Sequence, residues 1–190
     1  GTRYPDYHAR PVPPFGSADS PFLIVGLAPG MHGANATGRP FTGDHAGIML
    51  YDTLHRFGFA NKGESRHSRD GLKLLNCRIT NAVKCLPPQN KPVGAEIASC
   101  NRYLRDEIVA LPRPAVILAL GGIAHRAVLR AVGLKQSAFR FGHRACADLG
   151  DRLTLVSSYH CSRYNTQTRR LTADMFDAVI SDDRQRLSTT

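Results

Sequence analysis

The chain of 190 residues lacks the features that a membrane or secreted protein needs. A membrane span takes about 18 or more consecutive apolar residues, and no run in this chain approaches that length. No signal-peptide pattern opens the sequence, so we expect no membrane partner and a cytoplasmic location. The five cysteines are an odd number without the close spacing of a small disulfide scaffold. This pattern favours reduced thiols.

Acidic residues are also scarce. The chain has 15 Asp and Glu against 25 Lys and Arg, which gives a net charge of +10. Such an excess favours a polyanionic partner, nucleic acid first, because phosphate contacts release counterions. A soluble basic enzyme without such a partner has the same composition, so charge alone leaves both interpretations open.

Two signatures of nucleotide-phosphate hydrolases are missing. A Gly-rich loop is present, but it has no Gly-Lys-Ser/Thr ending to bind phosphate together with magnesium. No carboxylate cluster for a divalent metal follows it either. A nucleotide-phosphate hydrolase is therefore a weak interpretation, and we expect chemistry that needs no divalent metal.

Strand-like and helix-like segments alternate along the chain. Strands are predicted over 22–26, 77–83, 115–120 and 153–158, and helices over 46–57, 95–110, 122–132 and 172–181. Uninterrupted apolar runs such as 22–25 are typical of strands buried on both faces. The alternation predicts an α/β fold of three layers (αβα) with a central four-stranded parallel sheet. We expect one domain over 1–190, with an irregular lead-in at 1–20 and a frayed tail at 182–190.

The loop that follows the first predicted strand, 26–44, is the most informative segment. A strand that leads through a Gly-rich loop into a helix places backbone N–H groups at the carboxyl end of a sheet, where α/β proteins bind ligands. The loop carries the aromatic Phe41 and the carboxylate Asp44, three residues apart. These groups suit a site that holds a flat base and attacks the sugar attached to it. Asp44 is equally well placed to cap the following helix.

Polar residues follow two other predicted strands. Asn81 lies at the end of the second strand and Asn90 follows it, and His160-Cys161-Ser162-Arg163 follows the fourth. Each signal is weak alone, because buried Asn and His side chains are usually structural. Since the carboxyl ends of parallel strands meet at one crevice, we expect these residues to lie together.

Three ordered segments, 26–44, 82–92 and 158–172, resemble the uracil-DNA glycosylase superfamily, and most of all its family 5, the broad-specificity iron–sulfur type. The resemblance implies a monofunctional, monomeric glycosylase that flips out uracil from double-stranded DNA and hydrolyses its glycosidic bond. Hypoxanthine, xanthine and other deaminated bases are further expected substrates. The abasic product implies base excision repair, in the cytoplasm and nucleoid of a bacterium or archaeon. A non-catalytic relative that binds damaged or single-stranded DNA is the alternative.

The resemblance also implies roles for individual residues. Phe41 would stack on the flipped base, Asn81 and Asn90 would bind its edge, and His160 would donate to uracil O2. Asp44 would orient or deprotonate the attacking water. Ala28 stands where the best-known members carry a polar or acidic residue, so the water depends on Asp44, with Asn35 and His32 behind it. The backbone around Gly26, Ala28 and Gly30 would also contact the base.

In relatives the last segment enters the minor groove. By that resemblance Arg163, Tyr164, Asn165, Arg169 and Arg170 would bind DNA, and Leu171 is another candidate to fill the gap that the base leaves. An ordinary solvated loop is the alternative.

The cysteines raise a separate question. The resemblance implies that Cys85 and Cys100 are two of the four thiolate ligands of a 4Fe-4S cluster in the full-length protein. The other two would come from an upstream Cys-x-x-Cys element, and no cysteine precedes Cys77. The alternative is that Cys85 and Cys100 are two buried thiols.

Overall fold

A computed structural model describes residues 4–189, except for the side chain of Asn90. Its centre is one five-stranded sheet in the order β2-β1-β3-β5-β4. The strands are β1 (Phe22–Gly26), β2 (Cys77–Asn81), β3 (Ala115–Leu120), β4 (Cys146–Asp148) and β5 (Leu153–Ser158). All neighbouring pairs are parallel except β4 with β5. The predicted α/β architecture is therefore confirmed.

The helices lie between and after the strands. They are α1 (Ala34–Thr37), α2 (His45–Arg56), α3 (Gly94–Val109), α4 (Gly122–Ala131), α5 (Arg163–Gln167) and α6 (Ala173–Ser188), with a short 3-10 turn at Pro88–Asn90. Among the described residues, no helix is both long enough and apolar enough to span a membrane.

Alternating side chains of β1 enter two hydrophobic cores, one on each face of the sheet. Phe22 and Ile24 pack in the core that contains residues of α2 and α6. Leu23 and Val25 pack in the core that contains residues of α3 and α4. Both faces are covered, which explains why β1 and β3 are continuous apolar runs. The three-layer prediction is confirmed.

The predicted strand count was wrong by one. Strand β4 has three residues, pairs antiparallel at the sheet edge, and is mostly exposed. An exposed edge strand does not need an apolar run, so hydrophobicity gives no signal for it.

The tail is also more ordered than expected. Helix α6 continues to Ser188 instead of ending near 181, and Asp183 continues its buried face beyond Val179 and Ile180. The lead-in, from residue 4 to 20, has no helix and only an isolated bridge from Phe15 to Ile79.

Strand register sets up the site. Gly26 pairs with Asn81 at the carboxyl ends of β1 and β2, and Leu120 pairs with Ser158 at the ends of β3 and β5. The loops that follow these strands therefore leave the sheet at the same edge, as the parallel topology requires.

Candidate active site

A cavity of about 210 Å³ lies at this edge of the sheet. The loops that follow β1 and β5 and the last residue of β2 contribute to its wall. The lining residues are Leu27, Ala28, Gly30, Phe41, Asp44, His45, Ala46, Asn81, His160 and Ser162. The expected convergence of the three strand ends is confirmed. We call this cavity the base pocket.

Asp44 is half-buried at the start of α2, and its carboxylate does not cap that helix. Oδ2 instead accepts a hydrogen bond from the backbone N–H of Ala34 at 3.3 Å. Burial raises the pKa of Asp44, and the Ala34 hydrogen bond opposes the shift only in part. A carboxylate with a raised pKa beside a cavity is a candidate general base.

The Gly-rich loop is shaped around this carboxylate. A Cβ at Gly30 would lie 2.5 Å from Asp44 Oδ1, and a Cβ at Gly33 would overlap the carboxyl group. The two glycines therefore let the backbone approach the carboxylate more closely than any side chain would permit. Asn35 and His32, the candidates behind Asp44, have other hydrogen-bond partners among the described residues: Asn35 Nδ2 donates to Met31 O, and His32 Nδ1 pairs with Tyr7 Oη.

Phe41 has a φ of 56° although it is not glycine. This conformation is unfavourable for a bulky side chain and is held by its surroundings. Tyr51 Oη donates to Pro40 O at 2.6 Å, and Gly47 lets the Phe41 carbonyl pack closely against α2. The Phe41 ring is 6% exposed, and its centroid lies 6.0 Å from that of His160.

Asn81 points an unsatisfied oxygen into this region. Its side chain is 4% exposed, and Oδ1 has no hydrogen-bond partner within residues 4–189. A Cβ at Gly26 would contact both Asn81 Oδ1 and the Phe41 ring. Burying an amide oxygen without a hydrogen bond costs free energy, so Asn81 Oδ1 is placed to accept a hydrogen bond from a bound ligand.

His160 lines the opposite part of the base pocket. Burial lowers its pKa to about 4, so the imidazole is neutral at pH 7. Asn165 Nδ2 donates to the His160 carbonyl at 2.9 Å and ties this residue to α5. A neutral imidazole retains one N–H donor, which is what an anionic leaving group needs.

The loop after His160 is divided between surface and core. Arg163, Tyr164, Arg169 and Arg170 are exposed, whereas Asn165 is half-buried and bonded to His160 as described. The suggestion that Leu171 fills a gap in DNA was wrong. Leu171 is 1% exposed and packs in the core with Phe176, because the chain turns inward to start α6.

The remaining candidates lie on the loop after β2 and on α3. Asn90 belongs to the 3-10 turn, and its side chain lies outside the described part of the structure. Cys85, on the loop, is exposed and Cys100, on α3, is half-buried, whereas Cys77 and Cys161 are buried. Burial, then the nearby Cys100 thiol and Glu96, raise the pKa of Cys85. Neither Cys85 nor Cys100 is buried, contrary to the alternative of two buried thiols.

Comparison with known proteins decides the family. The family model described as "Uracil DNA glycosylase superfamily" matches residues 13–183. A type-5 uracil-DNA glycosylase of Thermus thermophilus is 47% identical over 94% of this chain and 81% of its own length. The chain is a member of the uracil-DNA glycosylase superfamily.

Further comparisons agree with this assignment. A type-5 uracil-DNA glycosylase of Pyrobaculum aerophilum is 42% identical over 92% of this chain and 75% of its own length. A crystal structure of SMUG2 from Pedobacter heparinus covers 90% of this chain and 77% of its own, with a TM-score of 0.57 at 14% identity. That likeness shows the fold alone. The resemblance to the superfamily and to its family 5 is confirmed.

Sequence reasoning missed a histidine of this superfamily member's base pocket. His45 lines it, and its Nε2 pairs with Thr166 Oγ1 of α5 at 3.1 Å. His45 thereby joins the loop of Phe41 and Asp44 to the segment that follows His160. Its position directly after Asp44 was the only available signal.

Proposed function

We propose that this chain is a monofunctional DNA glycosylase that flips uracil out of double-stranded DNA and hydrolyses its glycosidic bond. The single observation that carries the proposal is the base pocket itself. It brings together an aromatic ring, an unpaired amide oxygen, a neutral imidazole and a carboxylate with a raised pKa: Phe41, Asn81, His160 and Asp44. Binding a planar base and cleaving its bond to the sugar requires these four groups.

The base binds between the Phe41 ring and the amide of Asn81. An aromatic face stacks on any base, whereas a hydrogen bond to the base edge discriminates between bases. Within residues 4–189, Asn81 Oδ1 has no hydrogen-bond donor, and the N3–H of uracil supplies one.

His160 stabilises the leaving group. When the C1′–N1 bond breaks, its electron pair stays with the base, and uracil departs with a negative charge on its ring and O2. An N–H donor from a neutral imidazole at O2 lowers the energy of that charge without transferring a proton first. Protonation by solvent completes the release of uracil.

Asp44 serves the sugar. Loss of the base leaves positive charge at C1′, which the carboxylate stabilises. Water attacks C1′, Asp44 accepts its proton, and the product is an abasic site with a hydroxyl at C1′. Burial raises the pKa of Asp44, which makes it a stronger base than an exposed aspartate.

The same pocket accepts other deaminated bases. Hypoxanthine and xanthine are planar and, like uracil, carry a ring N–H beside a carbonyl, so stacking on Phe41 and an N–H hydrogen bond to Asn81 Oδ1 apply to them as well. The net charge of +10 and the exposed arginines after Ser162 bind the duplex, and the chain acts as a monomer in the nucleoid.

Cys85 and Cys100 hold one side of a 4Fe-4S cluster in this proposal. Cys85, on the loop after β2, is exposed, and Cys100, on α3, is half-buried and close enough to contribute to the raised pKa of Cys85. Within residues 4–189, no three His, Cys, Asp or Glu side chains form a metal site. The proposal therefore includes two further thiolates from an upstream Cys-x-x-Cys element, as in the relatives that the sequence resembles. When bound, the cluster would cross-link the loop after β2 to α3.

Single-turnover assays test the activity. Matched duplexes with one uracil, hypoxanthine, xanthine or no lesion are incubated with excess protein and EDTA. Release of free base and an alkali-labile abasic site, on lesion strands alone, is the expected result. Lesion-dependent binding without cleavage would support the non-catalytic relative instead.

Iron and sulfide analysis of the full-length protein tests the cluster. Cys85→Ser is expected to lower the iron content and the visible absorbance of the cluster. Cys146→Ser, at an exposed cysteine of β4, is the matched control and keeps both. Equal iron content in both variants would exclude Cys85 as a ligand.

A further inference from the structure

A second, larger groove of about 540 Å³ opens beside the base pocket and shares Asp44 and His45 with it. One wall is the start of α2, where Ile48 is exposed. The facing wall is the loop 63–66, and Arg163 of α5 also lines the groove. We call it the side groove. It adjoins the base pocket at Asp44 and His45.

The loop that forms the facing wall is clamped in place. Arg39 and Asp70 form an ion pair at 2.7 Å with side chains only 5% and 8% exposed. The same guanidinium donates to Ser65 Oγ at 2.6 Å and to Thr42 Oγ1 at 2.9 Å. The clamp therefore fastens the loop to the segment that carries Phe41 and Asp44. A buried pair with full hydrogen bonding is lost only at considerable cost, so this wall is rigid.

The groove presents positive charge from two sides. Arg66 on the loop and Arg163 on α5 both line it. Glu64 also lines it and pairs with Arg66 at 2.6 Å, but the side chain of Arg66 is 76% exposed and that of Glu64 is 66% exposed. An exposed pair of this kind is weak, so a phosphate can replace Glu64 as the partner of Arg66.

We propose that the side groove holds the sugar–phosphate backbone of the DNA strand beside the flipped nucleotide, with Arg66 and Arg163 on its phosphates. The inference rests on the proposed function, which places the sugar at Asp44 and the base edge at Asn81 and His160. The backbone attached to that sugar must then leave the pocket on the Asp44 side. The side groove opens there, and its two arginines match the charge of a phosphate chain.

Salt-dependent binding is the first test. Affinity for an undamaged duplex is measured by fluorescence anisotropy over a range of salt concentrations for four proteins. Arg66→Gln is expected to weaken binding several-fold and to reduce the slope of log K against log salt by about 1. Arg130→Gln, with the same charge change at the far end of α4, is the matched control and binds as the wild type does. Glu64→Gln is expected to bind more tightly, because it frees Arg66.

Equal slopes for Arg66→Gln and Arg130→Gln would overturn the proposal. Arg66→Gln is expected to fold as the wild type does, because the side chain of Arg66 is largely exposed and its loop is held by the Arg39–Asp70 pair. A change in its salt slope therefore reports DNA binding and not misfolding.

Replacing one phosphate at a time with an uncharged methylphosphonate shows which linkage Arg66 contacts. Six duplexes are made, each with one hydrolysis-resistant 2′-fluoro-deoxyuridine and one uncharged methylphosphonate. The methylphosphonate occupies a different one of the three linkages on either side of that nucleotide in each duplex. At one linkage, the methylphosphonate is expected to lower the DNA affinity of the wild type several-fold. It is expected to leave the affinity of Arg66→Gln unchanged at that linkage. Equal losses in both proteins at all six linkages would refute the strand path.

The two proposals fail separately. Wild-type excision of uracil is measured on the same sequence with ordinary deoxyuridine. Linkage-specific dependence on Arg66 without any excision would leave the side groove intact and reject the glycosylase activity. Excision of uracil without a linkage-specific dependence on Arg66 would support the glycosylase activity and reject the side groove as the path of the strand.

Discussion

The carboxylate of Asp44 hydrogen-bonds to the start of α1, the preceding helix, and not to α2, which begins directly after Asp44. Its Oδ2 accepts a hydrogen bond from the N–H of Ala34, the first residue of α1, at 3.3 Å. The side chain is therefore turned back into the Gly-rich loop and lines the base pocket. One hydrogen bond to a half-buried carboxylate orients it without fully satisfying it, which suits a group that must bind water.

Asp44→Asn should reduce single-turnover excision of uracil by about 10²-fold or more, because the amide cannot accept the proton of water. DNA binding should persist, since Asn has the same shape. Asp52→Asn, on the exposed face of α2 where Asp52 pairs with Arg56, is the control. Near-wild-type rates in Asp44→Asn would exclude Asp44 as the catalytic carboxylate.

The rate should fall in acid along a limb set by Asp44. Burial raises the pKa of this carboxyl above its ordinary 3.8, so its active, ionised form is lost at a higher pH than for an exposed aspartate. A pH profile of the single-turnover rate measures the limb. His160→Gln should leave the limb in place; its disappearance in that variant would assign it to histidine.

His160→Ala should lower the single-turnover rate by about 10²-fold, the loss typical of one donor to a developing anion. His160→Gln should recover part of the rate, because it restores a neutral donor at this position. The imidazole, with a pKa lowered to about 4, is itself neutral at pH 7. Equal rates for the two variants would indicate that His160 only fills space.

Gly26→Ala should impair base binding more than folding. The added methyl would occupy the space between the Asn81 amide and the Phe41 ring. Overpacking of this kind costs about 1–3 kcal/mol of stability, within reach of a folded domain. Uracil excision and thermal unfolding are compared with Gly94→Ala, where a Cβ meets no atom within 4 Å. Undiminished excision in Gly26→Ala would mean that the base binds elsewhere.

Asp183 should make stability depend on pH. Burial raises its pKa to about 8, partly offset by Arg186, and Oδ2 has no partner within the described residues. An acid whose pKa is higher in the folded than in the unfolded protein makes its full contribution to stability below the unfolded pKa, about 3.9 for Asp. That contribution is lost as pH rises through the folded pKa of about 8.

Asp183→Asn should therefore raise Tm at pH 8 and flatten its dependence between about pH 5 and 8. Asp182→Asn, which removes a surface pair with Arg144, is the control and should lower Tm slightly or not at all. An Asp183→Asn protein that melts earlier at pH 8 would contradict this assignment. Thermal unfolding at several pH values measures both variants.

Much of the fold was predictable because it depends on local patterns. Strands β1, β3 and β5 matched their predicted bounds, since burial on both faces requires consecutive apolar residues or an apolar segment between turns. Strand β4 and the end of α6 were not predictable in the same way. An exposed edge strand and a helix end depend on neighbours that are distant in sequence.

The site followed a similar division. Phe41, Asp44, Asn81 and His160 were all candidates from their positions after predicted strands, and the base pocket contains all four. His45 gave no signal beyond its position directly after Asp44, and the ion pair between Arg39 and Asp70 gave none. Thr166 lies 121 residues from His45, and Asp70 lies 31 residues from Arg39, so only folding brings these partners together.

The sequence by itself determined the α/β architecture, the family and the residue types at the strand ends, because apolar runs, turns and ordered motifs are local properties of the chain. Tertiary structure decided which way those side chains face and what surrounds them. The orientation of Asp44 toward Ala34, the unpaired oxygen of Asn81 and the neutral state of His160 all arise from burial and from contacts across the sheet. Desolvation and hydrogen-bond geometry depend on three-dimensional neighbours, and no spacing along the chain encodes them directly.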